Sequence, residues 1–248
     1  MLENATSFED KFNSHCVSIN VVAKRSIEKA CNQVHDILQH LGGEPINPNM
    51  PPTIAITEFM TMRGTLAGQD KDIFLHMKQM TDRNKLMTMK MLGMLALYYG
   101  RMQSFMLGYI SCRMLRITIE YGHSEDSVFA LVSFAGALGN RFHDYDESCA
   151  LAHTALGLMK KYNTEKMIPR VYGMIYGAVL ISKEPLRGSM VDNLLKGVRL
   201  SFENGCQEYS IMNTVFYLSR SWQAGKNLKV LVQESPRTLF HDMNSCAQ

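Results

Sequence analysis

Cys149 and His153 are the pair of side chains whose types and spacing most resemble part of a metal site. A separation of four residues places both on one face of a helix, and thiolate and imidazole are common zinc ligands. A structural zinc ion takes four protein ligands, and the neighbouring sequence offers no further pair. The sequence therefore predicts a buried cysteine beside a packed histidine, with no metal.

A second polar cluster, formed by His143, Asp144 and Asp146, has residue types that serve as general acids and bases. The cluster falls directly before a predicted helix. Asp144 is followed three residues later by Glu147, which is the pattern of a capping box. We therefore interpret the cluster as the start of a helix rather than as a catalytic group.

Arg170 and Tyr172 open another predicted helix, directly after a proline that suits the first helical position. Arg170 has two interpretations. It could hold a carboxylate or phosphate of a binding partner, or it could pair with Glu165 or Glu184 of the same chain, and the second is favoured. Both Arg170 and Tyr172 are kept as candidate partner contacts.

Trp222 is the only tryptophan of the chain. An exposed tryptophan is a common hot spot of protein–protein contacts, so Trp222 is the third candidate partner contact. The favoured alternative places its indole ring between the last helices, as part of the core.

Sequence motifs of phosphate binding and catalysis are missing. Gly225-Lys226 is followed by Asn227, and Arg220 stands where a P-loop needs its first glycine. Kinase H-R-D and D-F-G motifs and the G-x-S-x-G nucleophile elbow are absent as well. We therefore expect no catalytic residues, no cofactor and no enzymatic activity.

The composition is that of an ordinary globular protein of 248 residues, with 46% hydrophobic and 20% charged residues. The net charge of +3 comes from dispersed lysines and arginines, which argues against a nucleic-acid interface. The longest apolar runs, at 93–99 and 173–181, are too short to span a bilayer. The 19 methionines are expected to fill gaps between packed helices.

The six cysteines are widely spaced and form no C-x-x-C pair. The first residues lack the basic and apolar regions of a signal peptide. Reduced thiols and a cytoplasmic location are therefore expected.

Apolar residues recur with the helical period along most of the chain, and no segment sustains the alternation of a strand. An amphipathic helix ends at Gly42-Gly43, and a proline-rich linker follows it. The predicted later helices cover 54–66, 72–80, 81–99, 101–120, 125–139, 146–161, 169–181, 189–203, 208–223 and 227–234. The predicted fold is all-α.

An internal repeat is indicated by two matching G-x-x-E-x-S segments at 122–127 and 205–210, whose offset is 205 − 122 = 83. At half that offset, Gly136 corresponds to Gly177, since 177 − 136 = 41. Two helices per unit of about 41 residues are typical of helical solenoids. The paired glycines predict places where two helices approach closely.

The order of several short segments resembles the tetratricopeptide-like region of large signalling proteins that join a predicted AAA/STAND-type ATPase to Ser/Thr-kinase or histidine-kinase modules. The segments are ILQHLG (37–42), TDRNKL (81–86), IEYGHS (119–124), IPRVYG (168–173), Tyr176-Gly177, KEPL (183–186) and ENG (203–205). The resemblance covers about residues 20–232. It implies a scaffold lying between an upstream nucleotide switch and downstream output domains, of which this chain is a fragment or a truncated form.

We therefore expect a right-handed stack of antiparallel helical hairpins, a TPR-like α-solenoid with a period of about 41 residues. The predicted parts are a hairpin at 1–42, a linker with short helices at 43–80, repeats at 81–234 and a disordered tail at 235–248. The expected function is non-catalytic scaffolding through contacts with protein partners, without nucleic acid or membrane. Self-association through uncapped repeat ends is a further expectation. Two alternatives stay open, an all-α carrier of a small apolar ligand or lipid and an enzyme with a dispersed site.

Overall fold

A computed structural model of the chain describes residues 8–69 and 72–233. Within these residues the fold is all-helical and contains no β-strand. The α-helices are α1 (Phe8–Ala23), α2 (Ile27–His40), α3 (Pro52–Ala67), α4 (Ile73–His76), α5 (Arg83–Arg101), α6 (Met106–Tyr121), α7 (Glu125–Phe142), α8 (Tyr145–Tyr162), α9 (Ile168–Met174), α10 (Ser189–Glu203), α11 (Gln207–Gln223) and α12 (Leu228–Gln233). The predicted all-α class is confirmed. The predicted tail at 235–248 lies outside the described residues.

The chain forms two compact units, Met1–Leu131 and Val132–Gln248, which divide inside α7. In the first unit, α1 packs against α2. Ser26 caps α2 by accepting a hydrogen bond from the backbone N–H of Lys29 at 3.3 Å. Gly42 follows the helix with φ +70°, a conformation that glycine adopts without steric penalty.

The middle of the first unit is built by α5, which packs against α2 and α6, while α6 also packs against α3. Asp82 caps α5 by accepting a hydrogen bond from the backbone N–H of Lys85 at 3.1 Å. Arg116 on α6 pairs with Glu58 on α3 at 2.6 Å. The hydroxyl of Tyr98 on α5 donates to Asn20 on α1 at 3.0 Å.

Residues 72–80 form one helical turn, α4, where the sequence predicted two. The reason is a short parallel backbone pairing with the loop after α6. His123 donates its N–H to the carbonyl of Lys78 at 2.8 Å, and Met80 donates to the carbonyl of His123 at 2.7 Å. These bonds satisfy the backbone in an extended form, so the helix ends at His76. Gly122 permits the approach, since a Cβ there would lie 2.4 Å from the carbonyl oxygen of Lys78.

The second unit contains a helical segment that changes its hydrogen-bond pattern twice. Ile168–Met174 is α-helical, Ile175–Val179 is π-helical and Leu180–Ser182 is a 3₁₀ turn. This segment packs against α8, α10 and α11. The sequence predicted one regular α-helix over 169–181. The helix is confirmed, but the prediction that it is regular is wrong.

Residues with positive φ mark the ends of the later helices. Four of them lie in the connection between two elements: Gln103 between α5 and α6, His143 between α7 and α8, Gly188 between the 3₁₀ turn and α10, and Gly225 between α11 and α12. Gly122, Asn163 and Gly205 lie at the alternate junctions, after α6, α8 and α10. The members of the second set follow one another in nearly equal steps, since 163 − 122 = 41 and 205 − 163 = 42.

Methionine contributes to the core as the composition predicts. Met89, Met91, Met106 and Met114 are fully buried side chains of α5 and α6. Among the described residues, no helix is both long and apolar enough to cross a membrane.

Candidate protein-binding surface

Trp222 lies near the end of α11 with 61% of its surface exposed. The favoured expectation, a ring wedged between the last helices, is therefore wrong. The indole ring lies on the outer face of α11, so the alternative, an exposed candidate contact, describes its position.

Trp222 belongs to an apolar row on the outer face of α11, which we name the α11 stripe: Ile211, Val215, Leu218 and Trp222. Ile211 is 63% and Val215 61% exposed. Leu218 is half-buried and packs against the core around Leu194, Val198 and Tyr217. Large apolar side chains grouped on one exposed face are typical of protein contact surfaces.

The opposite face of α11 explains why the stripe points outward. Its fully buried positions include Asn213, Tyr217, Ser210 and Ser221, most of which are polar. Asn213 donates from Nδ2 to the carbonyl of Pro169 and to Oγ of Ser201, both at 2.8 Å. These small or hydrogen-bonded side chains allow close contact with α9 and α10. The bulky aliphatic residues of α11 are left on the other side.

Sequence reasoning missed Ile211, Val215 and Leu218. The signal was present, because their spacing to Trp222 follows steps of four, three and four residues. That spacing keeps side chains on one helix face. It was hidden by the assumption that every apolar face of this helix is covered by its own chain.

Arg170 lies at the start of the irregular segment and contacts α11. Its Nε donates to the hydroxyl of Tyr209 at 3.1 Å, and the guanidinium also lies 6.0 Å from the centre of that ring. The two acidic residues that the sequence offered as its partners each have a contact with another side chain. Glu165 accepts from Lys196 at 3.2 Å, and Glu184 lies 2.8 Å from His153.

Tyr172, the second candidate contact, is half-buried beside a shallow cavity of about 230 Å³. The cavity is lined by apolar residues of α8 and by Lys160 and Glu165. Burial raises the pKa of Tyr172 above its ordinary value, an effect that Lys196 opposes. Its ring packs edge-on against Tyr176 at 5.0 Å. The hydroxyl is therefore neutral at physiological pH.

The three predicted contact residues do not converge on one site. Arg170 contacts Tyr209 near the start of α11, whereas Trp222 stands near the end of that helix. At a rise of 1.5 Å per residue, the Cα atoms of Tyr209 and Trp222 lie about 20 Å apart. Arg170 and Tyr172 border one region of the second unit, and Trp222 borders another.

Cys149 and His153 have different surroundings. The thiol of Cys149 is buried and lies 3.5 Å from the hydroxyl of Ser182. The side chain of His153 is 57% exposed beside Glu184, so the predicted packed histidine is wrong. Among the described residues, no group of three or more histidines, cysteines and acidic side chains could hold a metal ion.

The cluster before α8 has the structure that the capping interpretation predicts. Asp144 accepts a hydrogen bond from the backbone N–H of Glu147 at 3.2 Å. His143 adopts φ +56° and lies 3.0 Å from the hydroxyl of Tyr145 through Nδ1. Asp146 pairs with Lys183. The local contacts of Asp144 are those of a helix start.

No protein-family model, curated protein or solved structure matches this chain. The resemblance to the tetratricopeptide-like region of ATPase–kinase proteins therefore stays a prediction. The α11 stripe is the candidate contact surface, and Arg170 and Tyr172 lie in a separate region of the second unit.

Proposed function

We propose that this chain is a non-catalytic helical-repeat scaffold that works by binding protein surfaces. The proposed architecture is a right-handed, TPR-like stack of antiparallel hairpins with a period of about 41 residues. The recurring turn residues carry this proposal. Gly122, Asn163 and Gly205 each have positive φ, each end the second helix of a pair, and follow one another at nearly equal steps along the chain. A regular interval between equivalent turns is the property that defines a repeat array.

The α11 stripe is the proposed contact surface. It offers Trp222, a residue type enriched among contact hot spots, next to Ile211 and Val215. We further propose, following the resemblance, that the chain acts in the cytoplasm as part of a multidomain ATPase–kinase signalling protein. Its partners would then be other domains of that protein or separate proteins.

Affinity capture with three immobilised full-length baits tests the proposal. The baits are the wild-type chain, Val215→Glu and Gln223→Glu. Val215 is on the stripe, whereas Gln223 is exposed on the same helix beside it, so both variants add one negative charge to α11. We expect a set of proteins that binds the wild-type and Gln223→Glu baits and is lost from Val215→Glu.

Equal capture by all three baits would show that the stripe is not the contact surface. Native mass spectrometry of the purified chain tests the carrier alternative. One apolar small molecule retained per chain would favour a carrier and overturn the scaffold proposal.

A further inference from the structure

The α11 stripe has the spacing of a two-helix seam. Steps of four, three and four residues from Ile211 through Val215 and Leu218 to Trp222 are the a/d spacing with which two helices pack knobs into holes. The stripe extends about 16 Å along the helix axis. Its most complementary occupant is therefore another helix rather than a loop or a flat sheet.

The corresponding face of α7 is covered by the chain itself. Val132, Ala135 and Gly139 stand two repeat units before Val215, Leu218 and Trp222, since 215 − 132 = 83, and all three are buried. The covering helix is α8, where Oγ of Ser148 donates to the carbonyl of Ala135 at 2.6 Å. The helix α8 therefore lies against this face two pairs earlier in the chain, and its counterpart after α11 is α12.

The described part of α12, Leu228–Gln233, leaves the stripe exposed. Its start corresponds to the start of α8, since 228 − 145 = 83. Leu231 is its buried position, and Leu228 and Val232 are 63% and 69% exposed. The sequence that follows does not suit the role of α8. The same offset of 83 residues relates two sets of four positions. The buried residues of α8 in this set are Leu151, Ala152, Ala155 and Leu158, and the corresponding residues of the sequence are Glu234, Ser235, Thr238 and His241. Pro236 also belongs to this segment.

We infer that the stripe binds a second copy of this chain, with the two α11 helices antiparallel about a two-fold axis. In this pairing Ile211 of one copy lies opposite Trp222 of the other, and Val215 lies opposite Leu218. The largest side chain then meets a smaller one in each outer layer. A parallel pairing would place the two tryptophans against each other in one layer.

Charge favours the same orientation. Glu208 lies one turn before Ile211, and Lys226 and Lys229 follow Trp222. Antiparallel packing brings Glu208 of one copy towards Lys229 of the other, whereas parallel packing brings two Glu208 side chains together. Opposite charges at a contact rim speed association and select the orientation.

The size of the surface indicates how strongly the two copies are expected to bind each other. A contact made by one helix from each copy belongs to the small and weak end of specific interfaces, on the order of 1,000 Å² in total. The dimer is therefore expected to dissociate in the micromolar range. This inference rests on the proposed function, because it names the partner of the same surface.

Analytical ultracentrifugation of the full chain between about 1 and 100 µM, the range of such an interface, tests the inference. The wild-type mass is expected to rise from 28.1 kDa towards twice that value as concentration increases. Val215→Glu should raise the dimer dissociation constant at least about tenfold, because two carboxylates would enter one apolar contact. Gln223→Glu should weaken the dimer far less than Val215→Glu, because Arg220, which donates to Oε1 of Gln223 at 2.7 Å, can neutralise the added charge. Trp222→Ala is a second stripe variant, and circular dichroism melts check the fold of each.

Disulfide trapping tests the orientation. Ile211→Cys and Trp222→Cys chains, mixed and oxidised, are expected to form a covalent dimer, whereas either variant alone is not. In the antiparallel pair, two copies of position 211 lie about 16 Å apart. A disulfide requires Cα atoms within about 7 Å. The oxidised wild-type chain gives the background from native cysteines.

Three outcomes would overturn the inference. They are a monomeric wild type over the whole range, dimers of Val215→Glu as stable as those of the wild type, and trapping of Ile211→Cys alone. The capture experiment separates these from a failure of the proposed function. A monomer whose stripe still captures other proteins refutes only the second copy, whereas a monomer with no stripe-dependent capture refutes both.

Discussion

Gly177 and Phe216 pack so closely that the glycine has no room for a side chain. A Cβ atom on Gly177 would lie 2.4 Å from Cγ and 2.7 Å from Cβ of Phe216. From the same helix, Arg220 donates through Nε to the carbonyl of Gly177 at 2.9 Å. The ring of a phenylalanine can turn aside by a change of χ1, but its Cβ, 2.7 Å from the added atom, is fixed by the backbone of α11. The missing side chain therefore sets the distance between α11 and the π-helical turn.

Substitution of Gly177 is expected to destabilise the protein. Gly177→Ala should lower the free energy of unfolding, although alanine alone favours a helix by about 1 kcal/mol. Gly177→Leu should lower it by about 1–3 kcal/mol, because the added atoms must displace α11. Urea unfolding followed by circular dichroism measures both changes.

Gly64→Ala is the matched control. Gly64 lies within α3, and a Cβ there would meet no atom within 4 Å. The free energy of unfolding should therefore rise by about 0.5–1 kcal/mol. Gly136 is an intermediate case, since its nearest neighbour is the flexible end of Met174 at 3.4 Å. A gain in stability from Gly177→Leu would contradict the close crossing.

Most helix boundaries could be predicted because their signals are local. The predicted 189–203 coincides with Ser189–Glu203. Asp82 and Asp144 cap helices through backbone groups only three residues away. Gly205 has the positive φ that its place after a helix predicts. Gly100 misled the prediction, because it is accommodated inside α5 and the left-handed residue is Gln103.

The features that could not be predicted depend on neighbours distant in sequence. The π-helical turn at Ile175–Val179 packs against α11, a helix much further along the chain, at the contact of Arg220 with Gly177. The exposure of Trp222 depends on which helix follows α11 in space. A helical period shows that a face is apolar, but it does not show whether the same chain covers it.

Asn213 is predicted to stabilise the second unit through its side-chain amide. Its Nδ2 donates to Pro169 and Ser201, and the side chain is fully buried. Asn213→Asp keeps the shape but places a carboxylate against the carbonyl oxygen of Pro169. We expect the free energy of unfolding at neutral pH to fall by about 2 kcal/mol or more.

The pH dependence distinguishes this cause from a packing defect. Burial and the facing carbonyl would raise the pKa of the introduced carboxyl above its unfolded value. Its protonated form then favours the folded state, so the deficit should shrink as the pH falls through the folded pKa. Asn213→Ala, which removes the amide without adding a charge, should show a deficit that does not change with pH. Urea melts at several pH values compare the variants, and equal pH profiles would refute the explanation.

Alkaline pH is predicted to destabilise the protein before most lysines titrate. Burial raises the pKa of Cys31 to about 11, and burial raises that of Cys112 and of Tyr99 to about 12. In the unfolded chain a cysteine has its ordinary pKa near 8.5, so the unfolded state loses protons first. The stability that these groups contribute is fully present below the unfolded pKa. It is lost as the pH rises through the pKa values of the folded state. Unfolding midpoints between about pH 7 and 10 should fall, and Cys112→Ala should make the fall shallower.

Trp222 provides a spectroscopic measure of whether the stripe is covered. Because 61% of its surface is exposed in one chain and no other tryptophan is present, all indole fluorescence reports on this site. At low concentration we expect acrylamide to quench the emission efficiently, as for an indole in water. At concentrations that favour the antiparallel dimer, the ring of Trp222 lies against Ile211 of the second copy, and quenching should decrease. Val215→Glu should remain fully quenchable throughout, and Gln223→Glu should stay much closer to the wild type. Efficient quenching of the wild type at every concentration would mean that the stripe stays open to solvent and that no second copy covers it.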